Sequence, residues 1–367
     1  MFSEFGEYDC EREPDAIKRL YVWQTAIGLQ AVDGLKTSDF LRNTAQRNIA
    51  GDISIDEARS LIHQYYENRD QHAQPANEQE ADIVSGNIAK LLEEDSFRLI
   101  PSMISEIHKR IFEGVFPFAG QFRSINIAKK EWVLKDESVI YTPAPLIADS
   151  LAWDIQQELK YDYDSLTLEQ AVEHIAAFIS GIWQIHPFAE GNTRTTAVFL
   201  IKYLRFMGFE ADNSPFMHHS WYFRNALVRA NYRNTHAQIK KTPTFLIKFL
   251  RNLILGEQHE LKNRDLLIPV VQDADTQAEP TKTQKNSEPC KQYPDTVQML
   301  IRLMGIQPYS LRQLMELCRI KHRPSFIENY IKPALSSGII RLLHKEKPNH
   351  PRQKYLLTIK GQLLHNS

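Results

Sequence analysis

Cysteine and long apolar runs are both scarce in this sequence. The cysteines, Cys10, Cys290 and Cys318, lie far apart, are odd in number and form no CxxC pair. This usage argues against a disulfide framework and against a zinc site, and it fits a reducing compartment. No apolar stretch approaches the length needed to cross a membrane, and the acidic start Met1–Asp9 lacks the basic and apolar regions of a signal peptide. We therefore expect a cytoplasmic protein with no membrane partner.

A large net charge is missing as well. The 44 Lys and Arg residues nearly balance the 45 Asp and Glu residues, so the net charge of -1 indicates no partner by itself. The charge is uneven along the chain, however, because residues 293–367 contain 12 Lys and Arg against 4 Asp and Glu. That segment therefore carries about +8 and the rest of the chain about −9.

The chain is long enough for two or three domains, and its pattern is mainly helical. Ser54-Ile-Asp-Glu57 has the spacing of a helix capping box, and the polar stretch Gln71–Glu80 is expected to be a connection. A later stretch, rich in Asp, Gln, Thr, Lys, Pro and Glu, is typical of a flexible linker. We expect an N-terminal helical segment, a central helical domain, a linker and a small C-terminal domain, at residues 1–80, 81–257, 258–292 and 293–367.

One segment of the central domain, Gln121–Pro143, breaks the helical period. The residues Ser124, Ile125, Asn126 and Ile127 alternate between polar and apolar, and Val133–Tyr141 is rich in residues that strands tolerate. Alternation of this kind predicts a β-hairpin. We call this segment the flap.

Two strongly apolar helices are predicted on either side of a short loop, His186–Arg194, which we call the motif loop. The first follows a capping box at Thr167–Gln170 and ends before Pro187, because proline disfavours helical geometry in the preceding residue. The second runs from about Arg194 to Met207. Helices that are apolar on most of their surface belong in the interior of a domain.

The motif loop combines groups that suit phosphate chemistry. His186 ends the first helix, where the negative end of the dipole can support a protonated imidazole. Gly191, Asn192 and Thr193 begin the second helix, so their backbone N–H groups form an anion site. An ordinary helix end followed by a turn would also explain the pattern.

Two charged residues in the loop strengthen the functional interpretation. Glu190 is the sole acid of the loop, and one carboxylate beside phosphates is a common way to hold Mg²⁺. Arg194 can bind phosphate oxygens in a bidentate manner. A base, a metal-type acid, a glycine and an arginine within one short loop suit phosphoryl or nucleotidyl transfer.

The sequence HPFAEGNTR of this loop resembles the Fic motif HPFx(D/E)GN(G)Rxx(R). The resemblance extends over about residues 87–257 and includes the flap. It implies a mainly α fold with a Fic helical core and a β-hairpin flap. In that family the flap aligns the modified segment of a target protein beside ATP by strand pairing, which sets register with little sequence preference.

The resemblance also implies a role for each motif residue. His186 would be the general base that takes a proton from a Ser, Thr or Tyr hydroxyl of the target. Glu190 would bind Mg²⁺, Gly191 and Asn192 would form the anion hole, and Arg194 would hold the distal phosphates of ATP. The implied activity is that of a protein adenylyltransferase, in which the hydroxyl attacks the α-phosphate and pyrophosphate leaves.

Two positions depart from the family motif. Thr193 replaces the second glycine, and its hydroxyl could add a phosphate contact. Ala197 replaces the second arginine, which in the family orients the γ-phosphate and pairs with an inhibitory acid. We expect Arg194 to serve the distal phosphates alone.

The N-terminal segment resembles the antitoxin-type inhibitory helix of Fic proteins, whose signature is (S/T)xxxE(G/N). Asp33 and Gly34 stand at the acid and glycine positions, and Leu29 stands where the family has Ser or Thr. The resemblance implies weak inhibition, with Asp33 facing Arg194. An alternative is that Asp33 and Gly34 simply cap a helix.

The basic C-terminal part resembles a winged helix-turn-helix domain, through Pro308–Cys318, Ser325–Leu335 and a hairpin of residues 339–343 and 354–359. Basic residues flank its second helix and its wing, which suits contact with DNA phosphates, although such domains also bind proteins. They are Arg319, Lys321, His322, Arg323, Lys345, Lys347, Arg352 and Lys354.

Three functional alternatives therefore remain open at this stage. The first is protein adenylylation with ATP and Mg²⁺. The second is another Fic-type reaction, such as transfer of another nucleotide or of phosphate, or removal of AMP. The third is a catalytically weak regulator that binds DNA or protein. The target protein is not identified, and the sequence leaves open whether the chain forms a homodimer.

Overall fold

The computed structural model describes residues 14–68, 76–209, 214–235, 237–268, 293–304, 308–343, 353–358, 360–361 and 364. Helices dominate these residues, as the sequence predicted. The helices up to residue 255 are α1 Pro14–Gly28, α2 Asp39–Ala50, α3 Ile55–Glu67, α4 Ala76–Glu93, α5 Ser102–Phe112, α6 Ile147–Lys160, α7 Leu168–Ile185, α8 Asn192–Phe206, α9 Ser214–Asn231 and α10 Thr244–Leu255.

The N-terminal segment is part of the main helical body. Helix α1 packs against α4 and α9, and Gly28 lies so close to α9 that a Cβ atom there would be 2.5 Å from the Cα of Met217. The buried carboxylate of Asp82 on α4 accepts hydrogen bonds from the backbone N–H of Ser38 and the hydroxyl of Tyr66. These contacts join residues on both sides of the expected boundary near residue 80.

The predicted connection Gln71–Glu80 is wrong over its second half. Residues 71–75 lie outside the described residues, but α4 begins at Ala76 and continues through Glu80. Polar residues fill the first turn of α4 because that turn precedes the buried part of the helix, which begins at Ala81. The expected capping box at Ser54 is confirmed, with the Ser54 hydroxyl accepting from the backbone N–H of Glu57.

Helices α7 and α8 form the centre of the core, as their apolar composition predicted. The side chain of Thr167 caps α7 and accepts a hydrogen bond from the N–H of Gln170. Helix α8 is buried from Asn192 to Leu204. Between them the motif loop is enclosed on both sides by the most apolar part of the chain.

The flap is not a β-hairpin in the described structure. Gln121–Pro143 contains no strand, and a 3₁₀ turn covers Trp132–Leu134. The chain does reverse direction, because the N–H of Glu131 donates to the carbonyl of Glu137. Side chains form hydrogen bonds with backbone groups that would pair with the opposite strand in a β-hairpin. The N–H of Lys129 donates to the Ser138 hydroxyl, and the carbonyl of Ile125 accepts from the side chain of Arg123.

The segment that leaves α10 is only partly the expected linker. Residues 269–292 lie outside the described residues, whereas residues 258–268 are packed on the helical body. Leu261, Leu266 and Ile268 are buried, and the N–H of Ile268 donates to the carbonyl of Val133 in the flap. These three apolar side chains pack this stretch against the helical body. The mainly polar composition of residues 258–292 did not indicate this packing.

The C-terminal part contains the predicted kinds of element. Its helices are α11 Asp295–Leu303, α12 Leu311–Leu317, α13 Arg323–Phe326 and α14 Lys332–Ser336, with a π-helical turn at Ile327–Ile331. Its strands are β1 Tyr309–Ser310, β2 Ile340–Leu342 and β3 Lys354–Leu357. They form an antiparallel sheet in the order β1-β3-β2, in which Arg341 pairs with Leu356. The expected hairpin is therefore confirmed, while Lys345, Lys347 and Arg352 lie outside the described residues.

This C-terminal domain contacts the end of α8. The N–H of Lys360 donates to the carbonyl of Met207, and a Cβ atom at Gly208 would lie 2.5 Å from the side chain of Thr358. Gly208 also has φ +92, so both its backbone conformation and this close approach require glycine. Among the described residues, no helix is long and apolar enough to span a membrane.

Candidate active site

A cavity of about 580 Å³ opens beside the start of α8. Its wall combines three acidic and three basic side chains with apolar and aromatic ones, which suits a ligand that carries both charge and a ring system. The lining residues are Ala31, Val32, Asp33, Gly34, Leu35, Glu80, Phe116, Lys129, Glu190, Arg194, Trp221 and Arg224. We refer to it below as the cavity.

His186 ends α7 in a left-handed conformation, with φ 50 and ψ 60. Its ring stacks on Tyr141, with the ring centroids 4.0 Å apart, and its Nδ1 atom lies 3.3 Å from the carbonyl oxygen of Trp183. Because a carbonyl can only accept, Nδ1 carries the proton and Nε2 holds the free lone pair. Residues other than glycine rarely adopt this conformation, and such outliers are often found at functional sites.

Burial of His186 opposes the protonated imidazole that the negative end of the α7 dipole could support. The residue is only 6% exposed, and this burial lowers the pKa of the imidazole to about 3. The positive charges of Lys129, Arg123 and Arg224 lower it further, while the hydrogen bond to Trp183 acts in the opposite direction. His186 does not line the cavity. Lys129 and Arg224, whose positive charges lower the pKa of His186, both line it.

The motif loop is closed by the side chain of Asn192. Its Oδ1 atom accepts from the N–H of Phe188 at 2.9 Å, and its Nδ2 atom donates to the carbonyl of Phe188 at 2.8 Å. Both polar ends of the Asn192 side chain thus hold the loop, so any anion hole here depends on the backbone N–H groups at the start of α8.

Gly191 precedes α8 in a conformation that only glycine adopts easily, with φ 76. It also packs against the ring of Phe112: a Cβ atom at this position would lie 2.2 Å from Cζ of Phe112. Glycine is therefore required here for both conformation and space.

His108 on α5 contacts the motif loop through a hydrogen bond and a ring stack. Its Nδ1 atom accepts from the N–H of Gly120 at 2.8 Å, so Nε2 carries the proton and donates to the carbonyl of Glu190 at 3.1 Å. The ring stacks on Phe188, with the centroids 3.7 Å apart. Burial lowers the pKa of His108 to about 4, which keeps the ring neutral and preserves this pattern of one donor and one acceptor.

Arg123 connects the flap to the motif loop. Its backbone N–H donates to the carbonyl of Pro187, and its Nε atom donates to the carbonyl of His186 at 2.8 Å. The remaining guanidinium nitrogens donate to the carbonyls of Ile125 and Thr142, both in the flap. One buried side chain thus fixes the flap relative to the backbone of His186.

Glu190 presents its carboxylate to the cavity with 46% of the side chain exposed. The Oε1 atom lies 3.7 Å from Nζ of Lys129 and accepts a long hydrogen bond from the N–H of Gly191. No cluster of three or more potential metal-ligating residues occurs in the described parts of the chain. A single half-exposed carboxylate on a cavity wall that also carries Lys129, Arg194 and Arg224 would suit Mg²⁺ together with a phosphate ligand, because Mg²⁺ keeps most of its waters and commonly takes other ligands from phosphates.

Arg194 is almost fully buried and is surrounded by acceptors. Its Nε atom lies 2.9 Å from Oδ2 of Asp33, an ion pair without the angles of a hydrogen bond. Its other nitrogens donate to Oε1 of Gln30 at 3.1 Å and to Oε1 of Glu80 at 2.7 Å. The contact expected between Asp33 and Arg194 is present, and Gly34 caps the 3₁₀ turn Leu29–Asp33. Inhibition by Asp33 stays a prediction.

The two departures from the motif both face the protein interior. The hydroxyl of Thr193 accepts a hydrogen bond from the indole N–H of Trp183 at 3.0 Å, and Thr193 does not line the cavity. The hydroxyl of Thr193 therefore contributes to the contact between α7 and α8 and not to the cavity wall. Ala197 is fully buried in the core.

The expected target-docking residues of the flap lie on its surface. Ser124, Ile125 and Asn126 are exposed, Ile125 by 68%, and Ile127 is half-buried. The side chain of Asn126 accepts from the N–H of Ala144, which attaches this stretch to the 3₁₀ turn Ala144–Leu146 just before α6. The stretch thus bends at Ser124 and Ile125, is mostly exposed and is attached to the body through Asn126.

Several cavity residues escaped the sequence analysis. Glu80, Lys129, Trp221 and Arg224 come from α4, the flap and α9, far from the motif in sequence. Arg224 is held by the buried carboxylate of Glu131 at 2.8 Å and lies over the ring of Trp221. Charged residues of this kind look like ordinary surface residues in a single sequence, and only the fold brings them together.

Comparison with known proteins gives matches over both parts of the chain. A model of the Fic/DOC family matches residues 98–204, and a model described as Filamentation induced by cAMP protein Fic-like, C-terminal domain, matches residues 295–358. A crystal structure of a Fic family protein from Desulfovibrio desulfuricans G20 is similar at 18% identity and a TM-score of 0.36, covering 95% of this chain and 97% of that chain.

Two relatives match over shorter lengths. The chain is 33% identical over 109 residues to a Sinorhizobium fredii protein named probable protein adenylyltransferase y4lH, which covers 29% of this chain and 54% of the relative. It is 28% identical over 109 residues to protein adenylyltransferase VbhT of Bartonella schoenbuchensis, which covers 30% of this chain and 22% of the relative. The chain thus spans about half of the length of the first relative and about a fifth of the second. The two family matches cover the motif loop and the basic C-terminal domain, so the chain contains a Fic/DOC family domain followed by a Fic-like C-terminal domain.

Proposed function

We propose that this protein transfers AMP from ATP to a Ser, Thr or Tyr hydroxyl of a target protein. The observation that carries the proposal is the arrangement around the start of α8. His186, buried and with its ring proton on Nδ1, ends α7 at the start of the same short loop that carries Glu190 and Arg194, and both of these residues line the cavity. Two relatives that match about 30% of the chain are named probable protein adenylyltransferase and protein adenylyltransferase.

In the proposed reaction the target oxygen attacks the α-phosphorus of ATP. The bond from that phosphorus to the oxygen that bridges the α- and β-phosphates breaks, and pyrophosphate leaves. The hydroxyl proton passes to Nε2 of His186, whose lone pair is free because Nδ1 carries the ring proton. The anionic phosphates offset the charges of Lys129, Arg123 and Arg224, so the pKa of His186 rises when ATP binds.

The other groups bind and orient the substrates. Mg²⁺ held by Glu190 would neutralise charge on the α- and β-phosphates. The N–H groups at the start of α8 receive phosphate oxygens, and Arg194 faces the distal phosphates. The exposed stretch 124–127 of the flap would pair with an extended segment of the target.

The test is incubation of the full chain with α-labelled ATP, Mg²⁺ and a cell lysate. We expect labelled protein bands, and we expect His186→Ala to abolish them. His218→Ala is a matched control, because His218 is exposed on α9 and does not line the cavity. Loss of label in the control, or full label with His186→Ala, would contradict the proposal.

The same assay separates the related Fic reactions. Label transferred from γ-labelled ATP would indicate phosphate transfer, and label from α-labelled UTP would indicate another nucleotidyl transfer. Release of AMP from a previously modified target would indicate AMP removal. Arg194→Ala tests the role assigned to that side chain, since full AMP transfer by this variant would rule it out.

The regulatory alternative has its own support in the C-terminal domain. Arg319, Lys321 and Arg323 are exposed around the start of α13, which is the helix expected to approach DNA. A gel shift of the full chain on duplex DNA, weakened by salt and by replacement of these three residues, would favour this function. The mode of association, including a homodimer, stays a prediction, and size measurement in solution would test it.

A further inference from the structure

The cationic side chains on the cavity wall differ in how firmly they are held. The Nη2 atom of Arg224 donates to both oxygens of the buried carboxylate of Glu131, at 3.0 and 2.8 Å. Arg194 is bound by Asp33, Gln30 and Glu80. A bound anion must compete with fixed carboxylates for either of these two guanidinium groups.

Lys129 is the exception among these cations. Its Nζ atom lies 3.7 Å from Oε1 of Glu190, too far for a hydrogen bond, and 40% of its side chain is exposed. An ion pair this open to solvent contributes little, so the ammonium can leave it at little cost. Lys129 is also fixed at its backbone, because its N–H donates to the hydroxyl of Ser138.

Helix α8 offers no second cation to the cavity. The motif position that would supply one is Ala197, which is fully buried and packed in the core. A triphosphate carries several negative charges, and one arginine that already binds two carboxylates leaves most of them without a partner. The cavity therefore needs another mobile positive charge if it is to bind ATP.

We propose that Lys129 of the flap supplies this charge and binds the β- or γ-phosphate of the nucleotide in place of a second arginine on α8. The inference rests on the proposed function, because it assigns a phosphate partner within the same cavity. When the nucleotide enters, the ammonium group leaves Glu190 and contacts a phosphate oxygen, which also frees the Glu190 carboxylate. The flap would thus bind the nucleotide as well as the target.

Direct binding of ATP and AMP to the full chain, measured calorimetrically without added metal, tests the proposal. We expect Lys129→Met to weaken ATP binding roughly tenfold, the size of one charge-assisted contact. AMP lacks the distal phosphates, so its affinity should change less than about twofold by the same argument. In the transfer assay with Mg²⁺, KM for ATP should rise while kcat changes little.

Lys130→Met is the matched control. Lys130 is the next residue of the flap, is exposed and does not line the cavity, so ATP affinity should remain at the wild-type value. Lys129→Arg keeps the charge and should retain most of the affinity. Equal ATP affinity of wild type and Lys129→Met, or an equal loss for ATP and AMP, would overturn the role of Lys129. Failure of the wild type itself to bind ATP would instead contradict the proposed function.

Discussion

The Nε atom of Arg194 lies 2.9 Å from Oδ2 of Asp33, and the same guanidinium donates to Glu80 on the other side. In the family motif, a second arginine pairs with the inhibitory acid, but position 197 here is a buried alanine. The acid of the N-terminal segment has therefore paired with the first arginine instead. Arg194, which we propose binds the distal phosphates, already pairs with two of the protein's own carboxylates.

Replacing Asp33 by Ala should increase AMP incorporation. The substitution removes one carboxylate that competes with phosphate for Arg194, so ATP should bind better by about one charge-assisted contact, roughly tenfold. The measurement is the initial rate of labelling at ATP concentrations below KM. Asp39→Ala is the control, because Asp39 is 93% exposed on α2 and lies outside the cavity. An unchanged rate for Asp33→Ala would remove the inhibitory role.

Glu80→Gln should have a similar effect, which the sequence did not predict. Glutamine can still accept the hydrogen bond from Arg194 but does not carry the competing charge. Because Asp33 and Glu80 share one guanidinium, the effects of the two substitutions should not be additive. A double-mutant cycle on the labelling rate measures this coupling, with Glu78→Gln as a control on the same helix. Strict additivity would indicate that the two acids act on different groups.

The sequence predicted the helices and the motif loop, because periodicity and a long motif are local signals. The contact of Asp33 with Arg194 joins distant segments, and it was predicted through the resemblance to the inhibitory helix of Fic proteins. The sequence did not predict Glu80, Lys129 or Arg224, which reach the cavity from distant elements. The alternation of polar and apolar residues in the flap predicts β-strands, but the structure has none there. The guanidinium of Arg123 satisfies the flap carbonyls instead, and a single buried side chain of this kind leaves no periodic signal in the sequence.

Gly191→Ala should lower the free energy of unfolding more than Gly34→Ala, although the two glycines have similar backbone conformations. Gly191 and Gly34 have similar φ values, +76 and +71, but only at Gly191 does an added Cβ meet another group, the ring of Phe112. We expect Gly34→Ala to cost about 1 kcal/mol from backbone strain and Gly191→Ala at least about 2 kcal/mol more from the clash. Urea unfolding of both variants gives the difference. Equal losses would show that the Phe112 ring moves aside at no cost.

Arg123→Met should lower kcat without weakening ATP binding. Arg123 does not line the cavity, but its side chain holds the His186 carbonyl to the flap. Loss of this connection leaves the base and the target-docking stretch misaligned, and we expect kcat to fall at least about tenfold because small misplacements of reacting groups are costly. KM for ATP should stay within about twofold, as expected for a group that makes no nucleotide contact.

The control for this experiment is Arg98→Met, which removes an exposed arginine just before α5. Its kcat and KM should both remain at the wild-type values. A rise in KM for ATP with unchanged kcat in Arg123→Met would show that the hydrogen bonds of Arg123 support the nucleotide site and not the alignment of His186.

His108→Phe should remove part of the acid sensitivity of the fold. The phenyl ring can keep the stack on Phe188, but it leaves the carbonyl of Glu190 and the N–H of Gly120 without their partner. We expect a loss of roughly 2 kcal/mol in the free energy of unfolding at pH 7. The pKa of His108 falls from 6.5 to about 4 on folding, so between these values the unfolded chain binds a proton that the folded chain does not. The wild type therefore loses up to about 1.4 kcal/mol of stability per pH unit from this group as the pH falls from 6.5 towards 4.

The phenylalanine variant lacks this proton uptake, whereas His186 and every other titrating group contribute alike to both proteins and cancel. The difference in unfolding free energy between wild type and His108→Phe should therefore shrink by about 2 kcal/mol between pH 7 and pH 5. Urea unfolding at the two pH values measures it, with His218→Phe on the exposed face of α9 expected to show no difference at either pH. A difference that is the same at both pH values would mean that His108 takes up its proton in the folded state, which its hydrogen bond from the N–H of Gly120 forbids.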